Sequence, residues 1–258
     1  MERGLLQALE KKGDRITVLD KWENRRELRK ILHEAIKDVE PEEEFLEEKD
    51  WDKTRVEAFQ PLKAANRIWI TPPWFAGRIP ENEDKIIINP GNAFGTGTHE
   101  STRLALSRIV KTVRPGFYVL DLGCGSGILS LAARKMGAAG VRSVDNDPEI
   151  ENNFLENVEY NKLDNINLEI TDVLGINDYN CDLAVINIQK NIILPLLKRF
   201  TVAKGVPKRV ILAGLLREHE QELVTVLNGS DFNIIDITQM NEWIAITAVR
   251  RSINEDNI

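Results

Sequence analysis

The feature that most constrains the fold of this chain is the alternation of strand and helix patterns after residue 115. Five short apolar runs predict strands, and longer runs with helical spacing separate them. The cores of these runs hold few polar residues, which is expected when helices cover both faces of a parallel sheet. The alternation predicts a Rossmann-like, doubly wound α/β domain. The predicted strands are FYVLDLG, AGVRSVDND, INLEITD, CDLAVINI and RVILAGLL.

The end of the chain departs from this alternation. The segment FNIIDITQMNEWIAITAVRR holds two β-rich runs that flank the residues MNEW. A parallel connection needs a dozen or more residues, and no such length separates these two runs. We therefore predict an antiparallel C-terminal hairpin at one edge of the sheet.

The chain before residue 85 follows another pattern. The opening MERGLLQALEKKGDR predicts an amphipathic helix, RITVLD a strand and NRRELRKILHEAI a second helix, whereas PPWFAGRIPENED predicts a loop. We divide the chain into a reduced N-terminal α/β segment (residues 1–50), a linker (51–88) and a larger α/β domain (89–258). The first segment is too short to bury a sufficient core by itself.

Charge and cysteine usage narrow the classes of partner. The chain has 34 basic and 41 acidic residues, a net charge of −7, which disfavours binding to nucleic acid or to an anionic membrane. No apolar run approaches the ~20 residues that cross a bilayer. Cys124 and Cys181 have neither metal-ligand nor CxxC spacing. We expect a cytoplasmic protein with reduced thiols and no metal site.

A glycine-rich turn predicts a ligand site. Gly123, Gly125 and Gly127 lie between a predicted strand and a predicted helix, where the backbone can approach a ligand closely. Asp145 lies about 20 residues further on, at the end of the next strand, where a carboxylate can accept hydrogen bonds from both hydroxyls of a ribose. Asp172 ends the third strand. The alternative is a tight strand-to-helix turn with solvated aspartates.

The spacing of the glycines indicates which nucleotide binds. A dinucleotide fingerprint is G-x-G-x-x-G, whereas this chain has G-x-G-x-G preceded by Asp121. A carboxylate beside a pyrophosphate is repulsive, but beside an ammonium group and a sulfonium it is favourable. The pattern favours S-adenosylmethionine over NAD, with S-adenosylhomocysteine as the product, and the closing antiparallel hairpin agrees.

Several segments together resemble one family. NPGNAFGTGTHEST, LDLGCGSGILSLAARKMGA, VDNDPE, ENVEYN and VINI are similar to the ribosomal protein L11 methyltransferase family of class I S-adenosylmethionine-dependent methyltransferases. The resemblance runs from about residue 45 to the C-terminus, and AFGTGTH is its most selective part. It implies methylation of lysine side chains and an N-terminal amine of a ribosomal protein. A related branch methylates lysines of other proteins, including an electron-transfer flavoprotein subunit.

The resemblance also implies roles for particular residues. Carried over by position, the cofactor-binding residues of the family are Thr102, Gly123, Asp145 and Asn187 in this chain. Thr102 is expected to contact the cofactor from above, and Asn187 to lie near the methyl group and the incoming amine. The alternative for Asn187 is a strand-end residue that caps the next helix.

The stretch NPGNAFGTGTHEST is predicted to form a lid over the cofactor. Phe94 is its only large apolar residue and would exclude water, and Thr96 would bond the cofactor or the amine. His99 is the only candidate base in this stretch, although a structural hydrogen-bonding role is favoured. Thr102 is expected to begin the following helix, TRLALSRIV. The alternative is a surface loop whose threonines cap that helix.

The chain also departs from the family pattern. The opening strand of the family's N-terminal domain is expected to be missing, Arg55 replaces a tryptophan in the linker, and Gln189 and Lys190 stand where small apolar residues are usual. These changes affect substrate recognition more than cofactor binding. Methylation of another protein lysine, of a small molecule or of nucleic acid therefore stays open, as does cofactor binding without catalysis. No N-P-P-[FY] sequence follows Asn187, which argues against an adenine or glutamine amide target.

Overall fold

The chain forms two compact units, Met1–Glu57 and Ala58–Ile258. The computed structural model describes residues 8–12, 15–19, 59–65, 68–90, 97–200 and 203–251. The described part of the first unit is an antiparallel pair of strands, β1 (Ala8–Lys12) and β2 (Arg15–Leu19). The second helix predicted for the N-terminal segment lies outside the described residues.

The β1–β2 pair confirms one prediction and corrects another. The strand expected from Arg15 is β2, but residues 8–12 form a strand where an amphipathic helix was predicted. The pairing runs from Ala8 opposite Leu19 to Lys12 opposite Arg15. The two residues between the strands are Gly-Asp, a composition that favours a tight hairpin connection. Cross-strand hydrogen bonding thus overrides the local helical pattern.

The second unit is built on a seven-stranded sheet in the order β11-β12-β10-β9-β6-β7-β8. Strands β6 to β10 are mutually parallel where they pair, and β12 is antiparallel to both β10 and β11. This confirms the predicted parallel sheet with an antiparallel C-terminal hairpin. The strands are β6 (Tyr118–Leu122), β7 (Gly140–Asp145), β8 (Ile166–Ile170), β9 (Leu183–Asn187), β10 (Arg209–Leu216), β11 (Phe232–Met240) and β12 (Trp243–Arg250).

Five helices of the described chain pack around this sheet, each within or next to a segment predicted to be helical. The first begins at Glu100, two residues before Thr102, because the side chain of His99 accepts a hydrogen bond from the backbone N–H of Ser101 and caps the helix. The helices are α1 (Glu100–Thr112), α2 (Ile128–Lys135), α3 (Glu151–Asn161), α4 (Lys190–Phe200) and α5 (Glu220–Asn228).

Much of the segment expected to be a linker belongs to the second unit. A three-stranded sheet is formed there by β3 (Leu62–Ala65), β4 (Ile68–Thr71) and β5 (Asp84–Ile87). Pro73–Arg78, expected to be loop, forms a 3₁₀ helix. The division between the units lies between residues 57 and 58, within the segment 51–88 that was expected to be a linker. Short apolar runs such as IWIT stay in this unit because their side chains are buried in its core.

The large sheet has one apolar core on each face. In β9, Leu183 and Val185 pack into the core formed with α1, α2 and the three-stranded sheet. Ala184 and Ile186 point into the opposite core, which α4 and α5 cover. Burial of both faces accounts for the near absence of polar residues in the predicted strands. No helix in the described ranges is long and apolar enough to cross a bilayer.

Candidate functional site

The main cleft lies where the order of the parallel strands reverses. From β6 the sheet extends through β7 and β8 on one side and through β9 and β10 on the other. Ligands of open α/β sheets bind outside the carboxyl ends of the strands at such a point. The cleft has a volume of about 420 Å³, within the range of small-molecule sites. The predicted site residues that line it are His99, Gly123, Gly125, Asp145, Asp172 and Asn187.

The glycine loop joins β6 to α2 in a conformation that side chains disfavour. Gly123, Gly125 and Gly127 have φ angles of 80°, 49° and 80°. A Cβ atom at Gly123 would overlap Cγ2 of Ile188, and one at Gly127 would lie 2.8 Å from the ring of Phe154. Backbone conformation therefore favours glycine at all three positions, and close packing adds to this at Gly123 and Gly127. Gly127 does not line the cleft but begins α2 as its N-cap.

Asp145 ends β7 and is held in place by the backbone. Its Oδ2 accepts a hydrogen bond from the N–H of Gly125 at 2.9 Å, and its Oδ1 accepts one from the N–H of Asp147 at 3.1 Å. A carboxylate has about four acceptor positions, so two remain for donors from the cleft. This arrangement suits a pair of ribose hydroxyls. Asp172 lines the same side and accepts a hydrogen bond from the N–H of Leu174.

Asp121 lies behind the glycine loop and does not line the cleft. Its side chain is fully buried, and Oδ2 accepts a hydrogen bond of 2.6 Å from the hydroxyl of Ser130, which also contacts the hydroxyl of Ser143 at 2.7 Å. Oδ1 has no hydrogen-bond partner among the described residues. Burial raises the pKa of Asp121 to about 7. Asp121 therefore supports the loop from beneath in this structure, whereas the sequence predicted a direct contact with the cofactor.

Asn187 ends β9 on the opposite side of the cleft. Its side-chain Nδ2 donates to the hydroxyl of Thr102 at 3.4 Å, and its Oδ1 has no partner among the described residues. Asn187 is only 8% exposed, so an unpaired acceptor there is costly unless a ligand supplies a donor. Thr102 is fully buried and does not line the cleft. It contacts Asn187 instead of standing at the cleft surface.

His99 is engaged in structural contacts. Nδ1 of His99 accepts hydrogen bonds from the backbone N–H and the hydroxyl of Ser101, at 3.2 and 2.8 Å. A neutral ring with this acceptor carries its proton on Nε2. The ring also packs edge-on against Trp243, with centroids 4.6 Å apart. The geometry supports the structural hydrogen-bonding role. Because Nδ1 already accepts hydrogen bonds, it is not free to act as a base.

The other predicted lid residues are largely beyond what the structure describes. Phe94 and Thr96 lie outside the described residues, so their predicted roles are not tested. At the described end of this stretch, Gly97 is buried with a φ of 89°, and a Cβ there would overlap Cδ1 of Ile70. That glycine is therefore needed for packing against the core.

Sequence reasoning missed several residues of the cleft, notably Ser101, Asn146, Gly214 and Trp243. Gly214 has a φ of 76°, and a Cβ there would lie 2.6 Å from the carbonyl oxygen of Ile188. A glycine inside the apolar run RVILAGLL was an available signal, because an isolated strand glycine often marks a bulge or a close approach. Trp243 offered no local signal, since β12 reaches the cleft only through the strand order.

The charge of the lining indicates the kind of ligand. Two carboxylates, Asp145 and Asp172, face the cleft, and no lysine or arginine is present among its described lining residues. A pyrophosphate would lack a counter-charge there, whereas a ligand with a sulfonium and an ammonium group would be favoured. Ile188, Ile192 and Trp243 make the Asn187 side of the cleft more apolar. The residues present therefore fit S-adenosylmethionine.

The strand order, the antiparallel hairpin and this site define a class I methyltransferase fold. The chain matches the model of the family described as ribosomal protein L11 methyltransferase (PrmA) over residues 6–251, and it belongs to that family. It is similar to the ribosomal protein L11 methyltransferase of Acetivibrio thermocellus, with 35% identity over 78% of this chain and 64% of the relative. It is also similar to that of Clostridium botulinum, with 32% identity over 94% of this chain and 82% of the relative.

A solved structure supports the same family assignment. The ribosomal protein L11 methylase of Lactobacillus delbrueckii subsp. bulgaricus superimposes with a TM-score of 0.69 at 28% identity. The match covers 75% of this chain and 100% of that one. The family resemblance and the α/β fold predicted from the sequence are thereby confirmed. The chain spans slightly less than two thirds of the length of the Acetivibrio relative.

Proposed function

We propose that this protein is an S-adenosylmethionine-dependent protein N-methyltransferase that acts on lysine side-chain and N-terminal amines of ribosomal protein L11. The observation that carries the proposal is the cleft between Asp145 and Asn187. One side offers a backbone-held carboxylate, the other a buried amide oxygen without a partner in the described chain, and no described lining residue is basic. The similarity to ribosomal protein L11 methyltransferases of other bacteria supports the substrate.

The described residues divide the work of binding. Asp145 would hold the ribose, and the backbone at Gly123 and Gly125 would accommodate the amino-acid end of the cofactor. When bound, S-adenosylmethionine supplies a methyl group activated by a positively charged sulfur. Asn187 would accept a hydrogen bond from the incoming amine through Oδ1, which orients the amine, while Thr102 fixes the amide.

The amine must lose its proton before it can react. A lysine with a pKa near 10.4 is neutral in only about one molecule in 2,500 at pH 7, whereas an N-terminal amine with a pKa near 8 needs much less help. Nδ1 of His99 is already a hydrogen-bond acceptor and is not placed to take a proton from the amine. The apolar side of the cleft, at Ile188, Ile192 and Trp243, would instead lower the pKa of the amine by desolvation.

Methyl transfer to purified ribosomal protein L11 tests the proposal. We expect incorporation of labelled methyl groups with the wild-type chain and a strong reduction with Asp145→Ala. Calorimetry with S-adenosylhomocysteine in parallel separates binding from catalysis. Binding of the cofactor without transfer to L11, but with transfer to another protein of a cell extract, would contradict the proposed substrate. It would still support protein methylation as the reaction. Binding without any transfer would indicate a non-catalytic binding protein.

The protein substrate would also need a docking surface. We propose that residues 1–50 help to dock it, in the cytoplasm where ribosomal proteins are made, with no direct contact to nucleic acid or membrane. Deletion of these residues should weaken methylation of L11 and leave the affinity for S-adenosylhomocysteine unchanged. Loss of both together would show instead that the segment is needed for the catalytic unit to fold.

A further inference from the structure

Three asparagines form a row along α3. Asn153, Asn157 and Asn161 are spaced by four residues and therefore lie on the same side of the helix, one turn apart. Asparagine is an ordinary choice for a helix cap but a weak helix former in the interior. Two of the three lie in the interior of α3 and one is its last residue. Contacts outside the helix are therefore needed to explain why asparagine stands at these positions.

The contacts outside the helix are with the backbone of residues 87–89. The side chains of the three asparagines form hydrogen bonds with it, as a neighbouring strand would. Asn161 accepts from the N–H of Ile87 at 2.9 Å and donates to its carbonyl oxygen at 2.6 Å. Asn157 accepts from the N–H of Asn89 at 2.8 Å, and Asn153 donates to the carbonyl oxygen of Asn89 at 3.1 Å. Side-chain amides thus satisfy the backbone N–H and C=O groups along the edge of this short extended segment.

Asn157 has one contact that Asn161 lacks. Its Nδ2 donates to the carbonyl oxygen of Ser126 at 2.9 Å, inside the glycine loop and next to Gly125. Asn157 is fully buried, so both of its hydrogen-bonding ends are committed to protein backbone. Phe154, on the same helix, packs against Gly127 at the other end of the loop. α3 therefore touches the glycine loop at two points and the segment 87–89 at the same time.

We infer that Asn157 is a positioning residue that couples the glycine loop to the segment 87–89. One amide fixes the separation between the loop carbonyl of Ser126 and the backbone N–H of Asn89. Through Pro90 this segment leads into the stretch that ends at His99, which lines the cleft. Ligand binding at the glycine loop and hydrogen bonding at Asn89 therefore stabilise each other. The inference rests on the proposed cofactor site at that loop.

Two alanine variants separate this coupling from a general loss of stability. Asn157→Ala and Asn161→Ala are the same truncation one helical turn apart, and each removes two hydrogen bonds to backbone outside α3. Only Asn157→Ala removes a hydrogen bond to the glycine loop. We expect Asn157→Ala to weaken binding of S-adenosylhomocysteine by about tenfold, and Asn161→Ala to change it less than about twofold. Thermal unfolding shows whether both variants are folded and similarly destabilised.

Equal losses of affinity in the two variants, or no loss in Asn157→Ala, would overturn the inference. A wild-type chain that binds no S-adenosylhomocysteine would contradict the proposed cofactor site itself, which is a different result. The wild-type protein offers a second measurement that needs no variant. Added S-adenosylhomocysteine should slow amide hydrogen exchange at Asn89, bonded to Asn157, by about tenfold or more and at Ile87 much less. Equal protection at both amides, or none at Asn89, would also overturn the coupling.

Discussion

The two sides of the cleft are encoded in different ways. The glycine-loop side, with Gly123, Gly125 and Asp145, comes from one continuous strand–helix–strand unit. The other side brings together His99, before α1, Asn187, at the end of β9, and Trp243, at the start of β12. Local spacing defines the first side, whereas the second exists only after β9, β10 and β12 have taken their places in the sheet. The cofactor side can therefore be recognised in a sequence more readily than the acceptor side.

The two sides meet at Ile188. Its Cγ2 occupies the space that a Cβ at Gly123 would need, and its carbonyl oxygen lies against Gly214 of β10. A substitution at this point should disturb both sides of the cleft at once. Substitutions elsewhere should affect one side and leave the other unchanged.

The largest effect is expected for Gly123→Ala. The left-handed conformation costs a residue with a side chain about 1–2 kcal/mol, and overlap with Ile188 adds about 1–3 kcal/mol. Gly116→Ala is the matched control, since Gly116 has a φ of 89° but no atom within 4 Å of the added Cβ. The free energy of unfolding in urea should fall about 1–3 kcal/mol further for Gly123→Ala. Equal losses would show that Ile188 moves aside freely and that the two sides are not packed together.

The next largest effects should come from two variants, one that weakens cofactor binding and one that slows methyl transfer. Asp145→Ala removes the acceptors for two ribose hydroxyls and should weaken binding of S-adenosylhomocysteine by about 1–3 kcal/mol. Asn187→Ala should reduce the rate of methyl transfer about tenfold or more, with a smaller change in cofactor affinity, because its unpaired Oδ1 is assigned to the amine.

Asp145→Asn serves as a control for the first variant, since its amide oxygen can still accept from the N–H of Gly125. Calorimetry and single-turnover kinetics give the two quantities. If both alanine variants lost affinity and rate to the same extent, the proposed division between a cofactor side and an acceptor side would be wrong.

A smaller effect, on stability alone, should come from Asp121 beneath the glycine loop. Burial raises its pKa from an ordinary value of 3.8 to about 7, so the folded protein keeps a proton that the unfolded chain releases. The contribution of Asp121 to stability is therefore fully present below about pH 4 and is lost as the pH rises to about 7.

Asp121→Asn should remove this dependence. The difference in unfolding free energy, wild type minus variant, should fall by up to about 1.4 kcal/mol per pH unit within that window and level off above it. Urea unfolding at several pH values measures it. A difference that rises with pH, as for a carboxylate stabilised in its charged form, would contradict the assigned environment of Asp121.

The sequence predicted what local pattern controls. Strands β6 to β10, the C-terminal hairpin and the positions of Gly123 and Asp145 follow from periodicity, turn composition and spacing. The errors arose where distant segments decide the outcome. Residues 8–12 look helical alone but pair with β2, and the run containing Ile68 and Ile70, which was assigned to the linker, packs into the core beside α1.

The same reason explains where the arrangement of the site differs from the expected one. Asp121 was expected to face the ligand because it precedes the glycines, but packing of Ser130 and Ser143 places it behind them. Thr102 reaches the site through Asn187, a contact that joins α1 to β9 across many residues. Trp243 enters the cleft only because β12 pairs with β10. None of these contacts leaves a periodic trace in the sequence.

The most direct test of the whole account is a crystal structure of this chain with S-adenosylhomocysteine. We predict that both ribose hydroxyls lie within hydrogen-bonding distance of the carboxylate of Asp145, and that the sulfur faces the side of the cleft that contains Asn187. A ligand bound elsewhere, or bound in this cleft with its ribose away from Asp145, would contradict the central claim that the cleft is divided into a cofactor side and an acceptor side.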